Sequence, residues 1–530
     1  MNHETYCFRR PFLGPRIAVN APPEADGTQA LQVMPDPAYL QAETDPLHPD
    51  AYVLALPVAC DGLAQPTLCQ PDAWATFHGI GDWPRHWSPP LCLPNPVRWE
   101  GNAHIVVMAY RASIHAPDSP RIQHAQVWEA LQRFYSPQQI LDLVVPWSDA
   151  SLPTTALCLA FGSCQFPAGL LDKLPAFASY DRLAARLANA KTQPAPQLLL
   201  LLGDQIYADA TGGVLDPVRA DDRFDLAYQN LFAADAVRQV LKQLPARMML
   251  DDHEIDDNWV PVLNREGQVT KGRQYRPGLD AYWRYQRGIS GPATQPAHQL
   301  QTRPTWTTFT QSGFEFFMTD SRSRRTPRTP DNLHASDTLL LGAPQSNELQ
   351  AWLAQQQHDH GNRPKLVSSA SMVLPRHTAG ESDTLDLDGW DGYPQSLSRL
   401  LGFICDQGIQ NVIFLSGDEH LACFTDIKLQ RLGDPRIVQA YSIHAPALYA
   451  PLPFANASPA ELRVKENFNF DDAGQHFNCA YRNQVFQQGD GFGVLTLSSG
   501  SPVGNPPTWQ LHLVIDGAKG CAPAVERRLC

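Results

Sequence analysis

From about residue 151 onward, short apolar runs alternate with longer segments whose apolar residues recur every three or four positions. The runs have the length of buried strands, and the longer segments have the spacing of amphipathic helices. The predicted strands are residues 156–161, 198–202, 247–250, 314–319, 365–369 and 411–415, with a further pair at 491–497 and 508–515. The predicted helices are residues 180–190, 224–244, 345–357 and 395–406. Strands that alternate with helices predict an α/β fold with helices covering the sheet faces.

The first 150 residues lack this alternation. Residues 1–50 are rich in Pro, Ala and Asp, which predicts an irregular covering segment with few strands. Further on, residues 104–110 predict a buried strand, and residues 126–143 predict a helix. A chain of 530 residues is long enough for two domains. We therefore expect an N-terminal accessory region over residues 1–150, partly irregular and partly β, and a larger α/β domain over residues 151–530.

The formal net charge of the chain is -13 at pH 7. Proteins that bind nucleic acid without sequence preference draw most of their binding free energy from Lys and Arg at phosphates. Nucleic acid is therefore not expected as a general partner. A small phosphate ester remains compatible with this charge, because multivalent cations in a site reverse the local field.

The eleven cysteines are scattered and form no C-x-x-C pair, which favours a reducing compartment. Two arginines, Arg9 and Arg10, lie where a twin-arginine export signal would have them, but Gly14-Pro15-Arg16 follows instead of an apolar segment. No run approaches the roughly 18 consecutive apolar residues of a membrane span. We expect no membrane span and a cytoplasmic location.

Four of the predicted strands are followed directly by polar clusters, at residues 162–165, 203–209, 251–254 and 417–420. Open α/β sheets bind ligands outside the carboxyl ends of their strands, so the four clusters are expected to share one site. Their side chains of types that bind metal ions include Cys164, Asp204, Tyr207, Asp252, Asp418 and His420.

This ligand set is mixed, which predicts a site for more than one metal ion. A thiolate and a phenolate suit a transition metal ion, whereas carboxylates suit a harder ion. Asp204 has two oxygens with which it could bridge two ions. Two such ions hold a phosphate and lower the pKa of a water molecule toward roughly 7. Any single cluster could instead be a turn or a helix cap, but four clusters at the strand ends of one sheet favour a metal site.

Several motifs occur in an order that resembles one family. They are Gly203-Asp204-x-x-Tyr207, Asp251-Asp252-His253-Glu254, Asp320-x-Arg322, Gly342-x-x-Gln345 followed by Trp352-Leu353, Trp390-Asp391-Gly392-Tyr393-Pro394, and Gly417-Asp418-x-His420. This set resembles the PhoD-type alkaline phosphatases, a branch of the calcineurin-like metallophosphoesterase superfamily. The resemblance implies an α/β/β/α sandwich that hydrolyses phosphodiesters, phosphomonoesters or both. Because such proteins are usually exported, it also makes the periplasm the alternative location.

The resemblance further implies two metal ions that share one carboxylate. The implied ligands of a ferric ion, Fe³⁺, are Cys164, Asp204, Tyr207 and His420. The implied ligands of the second metal, commonly Ca²⁺ in this family and otherwise another divalent ion, are Asp204, Asp252 and Asp418. His253 is implied to donate a proton to the leaving oxygen or to stabilise the transition state beside it.

Some residues have two open interpretations. Arg322 follows a predicted strand and could pair with an acidic neighbour, but a catalytic role, in which its guanidinium forks onto phosphate oxygens, is the favoured interpretation. Asp209, Asp257 and Asn258 are either extra oxygen ligands for calcium or groups that support the ligands and cap turns. His444 is interpreted as a structural histidine.

Two other functions compete with metal-dependent hydrolysis. A cysteine-nucleophile phosphatase would use Cys164, but it needs an arginine six residues later, where this chain has Leu170. A non-catalytic scaffold or binding protein, stabilised by metal on the same fold, is the remaining alternative. The presence of His253 next to a ligand favours the enzyme, because a scaffold has little use for an unligated histidine there.

Overall fold

The fold is that of a computed structural model. It describes residues 6–9, 13–17, 30–34, 51–59, 66–75, 78–79, 91–92, 102–111, 123–141, 144–146, 156–169, 173–189, 195–210, 222–241, 243–261, 275–287, 304–378, 384–451, 458–500 and 508–529. The chain divides into two compact units. The first is Met1–Ser151 with Phe232–Ala246 and Trp283–Pro296, and the second is Leu152–Leu231, Arg247–Tyr282 and Ala297–Cys530. Two segments from later in the chain thus group with the N-terminal residues, which the sequence did not predict.

In the described part of the N-terminal unit, strands outnumber helices. Its strands before residue 151 are β1 (Tyr6–Arg9), β2 (Leu13–Ile17), β3 (Ala30–Met34), β4 (Ala51–Ala59), β5 (Thr67–Leu68), β6 (His78–Gly79), β7 (Leu91–Cys92), β8 (Asn102–Arg111) and β9 (Val144–Pro146). Its helices in that stretch are α1 (His124–Phe134) and α2 (Pro137–Leu141). Strands β4 and β8 pair antiparallel along their length. The helix predicted over residues 126–143 is interrupted before Pro137, whose fixed φ suits the first turn of a new helix.

The strands of the rest of the chain form two eight-stranded sheets. The strands are β10 (Ala156–Gln165), β11 (Leu198–Leu201), β12 (Ala246–Met248), β13 (Thr307–Gln311), β14 (Phe314–Met318), β15 (Lys365–Ser369), β16 (Val412–Ser416), β17 (Ala422–Arg431), β18 (Ile437–His444), β19 (Ala447–Tyr449), β20 (Lys465–Asp472), β21 (Gln475–Phe486), β22 (Gly491–Ser499), β23 (Trp509–Gly517), β24 (Gly520–Cys521) and β25 (Val525–Arg528). The helices are α3 (Lys173–Ala188), α4 (Asp222–Ala233), α5 (Asp235–Leu241), α6 (Tyr275–Tyr285), α7 (Gly342–His360) and α8 (Pro394–Asp406).

The two sheets differ in strand order. The first runs β12-β11-β10-β22-β23-β24, with β19 beside β10 and β25 beside β23. The second runs β13-β14-β15-β16-β18-β17-β21-β20. In the second sheet, β14, β15, β16 and β18 are parallel neighbours, and in the first, β10 is parallel to β11. Three of the polar clusters lie at the carboxyl ends of β10, β11 and β12 in the first sheet, whereas residues 417–420 follow β16 of the second. The expectation that all four clusters end strands of one sheet is therefore wrong, and the site is built from both sheets.

The sheets pack face to face through a shared apolar core. Phe161 of the first sheet and Phe316 and Leu415 of the second belong to this core. Successive residues of a strand point to opposite faces, so Phe317 and Phe414 enter a second core beneath α7 and α8. On the first sheet, α3 packs against β19 and β22. The α/β/β/α sandwich predicted from the sequence is therefore confirmed.

Among the helices that the structure describes, none is both long enough and apolar enough to cross a bilayer.

Candidate metal centre

Four of the predicted metal ligands lie on left-handed backbone turns at strand ends. The φ angles are 54° at Cys164, 55° at Asp204, 88° at Asp418 and 53° at His420. Residues other than glycine seldom adopt such angles, and where they do, the surrounding structure must hold them. The backbone therefore turns sharply at these four candidate ligands.

Two glycines allow these turns to touch. A Cβ atom added to Gly417 would collide with Ser163 and lie 2.9 Å from the carbonyl oxygen of Leu202. At Gly203, φ is +107°, and an added Cβ would lie 2.6 Å from the Cβ of Asp251. Gly417 thus lets the end of β16 in the second sheet touch the ends of β10 and β11 in the first, and Gly203 lets the end of β11 touch Asp251.

Gly417→Ala is expected to destabilise the protein by about 1–3 kcal/mol, because the methyl group overpacks a rigid contact between strand ends. Chemical denaturation would measure this loss, and metal titration should show weaker binding. Gly389→Ala is the matched control, since its nearest atom would be 3.4 Å away and its φ is ordinary. Equal stabilities of the two variants would contradict the assigned contact.

Four aspartates form the centre of the site. Asp204, Asp251, Asp252 and Asp418 each offer a carboxylate oxygen, and these atoms lie within 4.8 Å of one another. Burial, and then the charges of neighbouring carboxylates, raise the pKa values of Asp204 and Asp418 well above the usual range. Like charges this close inside a protein cannot all ionise without a counter-charge. The guanidinium of Arg322 supplies one positive charge, so ionisation of all four carboxylates calls for further cationic charge.

Softer donors adjoin this cluster. The Sγ of Cys164 is 3.4 Å from Oδ2 of Asp204, and the hydroxyl of Tyr207 is 3.0 Å from Nε2 of His420. Tyr207 also packs against Cys164. Burial is the largest cause that raises the pKa values of Cys164 and Tyr207, so thiolate and phenolate forms also need a cation. The structure thus brings Cys164, Asp204, Tyr207 and His420 together, as the sequence predicted.

Unpaired oxygens show that a cation fits here. Among the described residues, Oδ2 of Asp251 and Oδ1 of Asp252 accept no hydrogen bond, although a guanidinium nitrogen of Arg322 lies 3.5 Å from Oδ1 of Asp252. A buried oxygen without a donor is costly, and such groups in native proteins usually have an ion or water as partner. Carboxylates, a thiol, a phenol and an imidazole together suit one transition metal ion and one harder ion.

His253 is held in one orientation. Its Nδ1 lies 3.0 and 2.9 Å from the two oxygens of Asp209, and its ring stacks on Tyr207 with centroids 4.1 Å apart. Asp209 in turn accepts a hydrogen bond from the backbone N–H of Asp257. Burial alone would lower the pKa of His253, but Asp209 and the neighbouring carboxylates raise it to about 9. Of the two roles left open for Asp209, the structure shows the supporting one.

Asn258 supports a different ligand. Its backbone N–H donates to Oδ2 of Asp252 at 2.8 Å, and its φ is 50°. Its side-chain amide donates to Asp257. Asn258 therefore fixes the carboxylate of Asp252 through its backbone.

Arg322 is fully buried and surrounded by carboxylates. Its Nε pairs with Asp251 and its guanidinium also pairs with Asp388, while the second terminal nitrogen lies 3.5 Å from Asp252 and 3.6 Å from Asp418. Burial alone would raise the pKa of Asp252, but Arg322 is the main group that lowers it, to about 2. The structure shows Arg322 buried and paired with acidic neighbours, and phosphate binding by Arg322 stays a prediction.

The segment over residues 384–392 is fastened beside the centre. Arg325 pairs with Asp388, and Arg328 donates to the carbonyl oxygens of Thr384 at 2.9 Å and Gly392 at 2.7 Å. The indole N–H of Trp390 donates to Ser369 at 2.9 Å. Arg322 thus pairs with Asp388, a carboxylate that Arg325 also holds in place.

The sequence reasoning missed Glu254 as a functional group. Its carboxylate is fully buried and accepts the backbone N–H groups of Asp204 at 3.2 Å, Gln205 at 2.7 Å and Asp251 at 2.8 Å. Burial, as the largest cause, raises the pKa of Glu254 to about 7. Glu254 thereby joins the two turns that carry Asp204 and Asp252. The feature of the sequence that could have indicated a role for Glu254 is its position directly after His253.

Two further motifs prove to be supports for Arg322. The carboxylate of Asp320 accepts the backbone N–H groups of Arg322 and Ser323, each at 2.9 Å. The side chain of Gln345 accepts from the backbone N–H of Asp320 at 2.7 Å and donates to its carbonyl oxygen at 2.8 Å. Asp320 and Gln345 therefore set the turn from which Arg322 extends.

Comparison with known proteins agrees with this geometry. Residues 159–495 match the PhoD-like phosphatase family. Alkaline phosphatase D of Bacillus subtilis (strain 168) is 24% identical over 305 residues, which are 52% of this chain and 47% of that protein. The chain thus matches about half the length of this curated relative.

A solved structure described as the structure of PhoD has a similar fold. Its TM-score is 0.54 at 13% sequence identity, and the match covers 99% of this chain and 88% of that chain. The family match spans well over half of the chain and includes all the metal-ligand candidates, from Cys164 to His420. The resemblance seen in the ordered motifs is therefore confirmed, and the chain belongs to the PhoD-like phosphatase family.

Proposed function

We propose that this protein hydrolyses phosphate esters, either phosphodiesters, phosphomonoesters or both, at a site for two metal ions. The observation that carries the proposal is the buried group of four aspartates next to an imidazole held by Asp209. A dinuclear site of this kind suits in-line displacement at phosphorus. The name of the related alkaline phosphatase D supports the same class of substrate.

The ligands divide between two ions. Cys164, Tyr207 and His420 would hold Fe³⁺ together with Asp204, because the thiol lies beside Asp204 and Tyr207, and the phenol lies beside the imidazole of His420. Asp252 and Asp418 would hold Ca²⁺ or another divalent ion together with Asp204. When bound, such ions neutralise phosphate charge and lower the pKa of a water molecule toward roughly 7.

His253 is the group for proton transfer. Asp209 occupies its Nδ1, so a proton on Nε2 is available for the leaving oxygen or for a hydrogen bond to a phosphate oxygen. The backbone N–H of His253 also lies 3.3 Å from Oδ1 of Asp204. This hydrogen bond fixes the position of the proton donor, His253, relative to the metal ligand Asp204.

His253→Ala is expected to lower turnover of an aryl phosphate or a bis-aryl phosphodiester by about 10²–10⁴-fold, the usual contribution of a general acid. Metal content should be unchanged, because all the assigned metal ligands are intact. Asp209→Asn should cause a smaller loss, since it leaves the imidazole in place but removes its charge partner. His512→Ala, on the exposed side of β23, is the control and should behave as wild type. Unchanged turnover in His253→Ala with full metal content would contradict the assignment.

The decisive test of the function combines elemental analysis with a panel of monoesters and diesters. Purified protein should contain iron and a divalent metal, should be coloured by charge transfer from phenolate and thiolate to iron, and should lose activity on chelation. Active protein that is colourless and free of iron would contradict the ferric assignment. Metal-loaded protein that is inactive on every ester would support the metal-stabilised scaffold instead.

A further inference from the structure

The turn at residues 417–420 presents two ligand candidates from a strained backbone. Asp418 and His420 have φ angles of 88° and 53°, and Glu419 lies between them. Two such residues store about 1–3 kcal/mol each, so the conformation persists only where neighbouring groups enforce it. The contacts of Glu419 therefore decide how well this turn presents its ligands.

The backbone of Glu419 is held from beneath. Its N–H donates to Nε2 of His444 at 3.3 Å, and Nδ1 of His444 lies 2.9 Å from the hydroxyl of Ser416. His444 is fully buried, and burial lowers its pKa to about 3, so the ring is neutral. Nε2 is then the acceptor and Nδ1 carries the proton. This agrees with the structural role predicted for His444 from the sequence.

The side chain of Glu419 is held by a second histidine. Oε1 of Glu419 lies 3.2 Å from Nε2 of His377, and Nδ1 of His377 lies 2.7 Å from Oδ2 of Asp391. The same Asp391 oxygen accepts the backbone N–H of His377 at 2.9 Å. All three side chains are mostly buried. The imidazole therefore connects Asp391 to the residue between the two ligands.

The backbone around His377 is itself anchored. Its carbonyl oxygen accepts from Nε of Arg463 at 3.0 Å, and the N–H of Thr378 donates to the carbonyl oxygen of Glu461. His377 also forms a β-bridge with Leu462. Because the backbone of His377 is fixed, its imidazole can hold the side chain of Glu419 in place and does not simply move with it.

We propose that His377 is a positioning residue of the metal centre. Through Glu419 it holds the turn that presents Asp418 and His420, so its loss should weaken metal binding even though it binds no metal itself. Its effect on turnover rests on the proposed function, whereas its effect on metal affinity does not. Supporting partners of metal ligands typically contribute 10–100-fold to metal affinity or activity.

The test is a double-mutant cycle on chelator-stripped protein, with Co²⁺ as the probe. His377→Ala and Glu419→Ala should each weaken Co²⁺ binding about 10–100-fold. The double variant should be no worse than the weaker-binding single variant, because His377 acts through Glu419. His377→Gln should regain most of the affinity, since its amide N–H can still donate to Glu419.

A matched control is His476→Ala, which removes an exposed imidazole 2.6 Å from Asp471 and should leave Co²⁺ affinity unchanged. The proposal is overturned if His377→Ala binds Co²⁺ as wild type does, if only its melting temperature falls, or if the two single losses add in the double variant. Additive losses would instead indicate a separate contact of His377. If wild type binds Co²⁺ but hydrolyses no ester, the proposed function fails, while the pattern of affinities still decides the role of His377.

Discussion

Asp204→Asn is expected to abolish ester hydrolysis, by more than about 1,000-fold, and yet to raise the melting temperature of the metal-free protein. The loss follows because Asp204 is the carboxylate that both metal ions would share, and several kcal/mol of transition-state stabilisation depend on those ions. Asparagine has the same shape and still accepts the N–H of His253. The fold around it should therefore survive.

The gain in stability has an electrostatic origin. Burial, followed by repulsion from Asp252 and Cys164, raises the pKa of Asp204 in the folded metal-free state. Because the folded-state pKa of Asp204 lies above its unfolded value of about 4, the free energy of unfolding is highest below pH 4. It falls as the pH rises from there through the raised folded-state pKa. A neutral amide avoids that loss. The difference between Asp204→Asn and wild type should consequently be larger at pH 8 than at pH 5.

Differential scanning calorimetry at these two pH values measures the melting temperatures of wild type and Asp204→Asn, both with and without metal. Metal should stabilise wild type strongly and Asp204→Asn weakly, so that the order of melting temperatures reverses on metal addition. Asp406→Asn is a suitable control, because that carboxylate is 40% exposed and pairs with Arg431 at the surface. A metal-free Asp204→Asn protein less stable than wild type at pH 8 would contradict the repulsion inferred for the four aspartates.

Arg322→Met is expected to destabilise the protein by about 3–5 kcal/mol, the usual cost of removing one partner from a buried ion pair. The guanidinium is fully buried and faces Asp251, Asp252, Asp388 and Asp418. Methionine fills similar volume but leaves these carboxylates without their cation. Chemical denaturation of the metal-free protein is the direct measurement.

The same variant distinguishes the two roles that the sequence allowed for Arg322. A phosphate-binding arginine would raise KM and leave stability unchanged, whereas a charge partner of the ligands lowers stability first. Arg436→Met removes a guanidinium that is 46% exposed, and it should shift stability by no more than about 0.5 kcal/mol. If Arg322→Met does not fold, Asp388→Asn removes one partner only and should show a milder loss of the same kind. If Arg322→Met and Asp388→Asn were both as stable as wild type, Arg322 would not be a charge partner of these carboxylates.

The parallel part of the fold was predictable because its strands are buried on both faces. Such strands appear as continuous apolar runs, and the run predicted at residues 365–369 is observed as β15 (Lys365–Ser369). Strands β17, β18, β20 and β21 were not predicted. They lie toward one edge of the second sheet, where β20 alternates exposed polar and less exposed residues in the sequence Lys-Glu-Asn-Phe-Asn-Phe. Its pattern carries fewer apolar residues than that of a central strand.

The ligand candidates were predictable for a geometrical reason, whereas their supports were not. Polar residues directly after buried runs mark the carboxyl ends of strands, so Asp204 and Asp418 could be proposed for one site from sequence, although they follow strands of two different sheets, β11 and β16. The pairing of Arg322 with Asp388 or of His377 with Glu419 depends on how distant loops fold over the edge. No spacing in the sequence encodes those contacts.

The left-handed turns also limit which residue types can replace the present ligands in a redesigned enzyme. Asparagine tolerates positive φ better than most residues, so an amide exchanged for the carboxylate of Asp204 or Asp418 alters the donor without distorting the main chain. Branched residues such as threonine would resist the same angles. Few residue types can therefore replace the ligands at the strand ends when the metal preference is redesigned. More residue types are acceptable among the side chains that hold those ends in place.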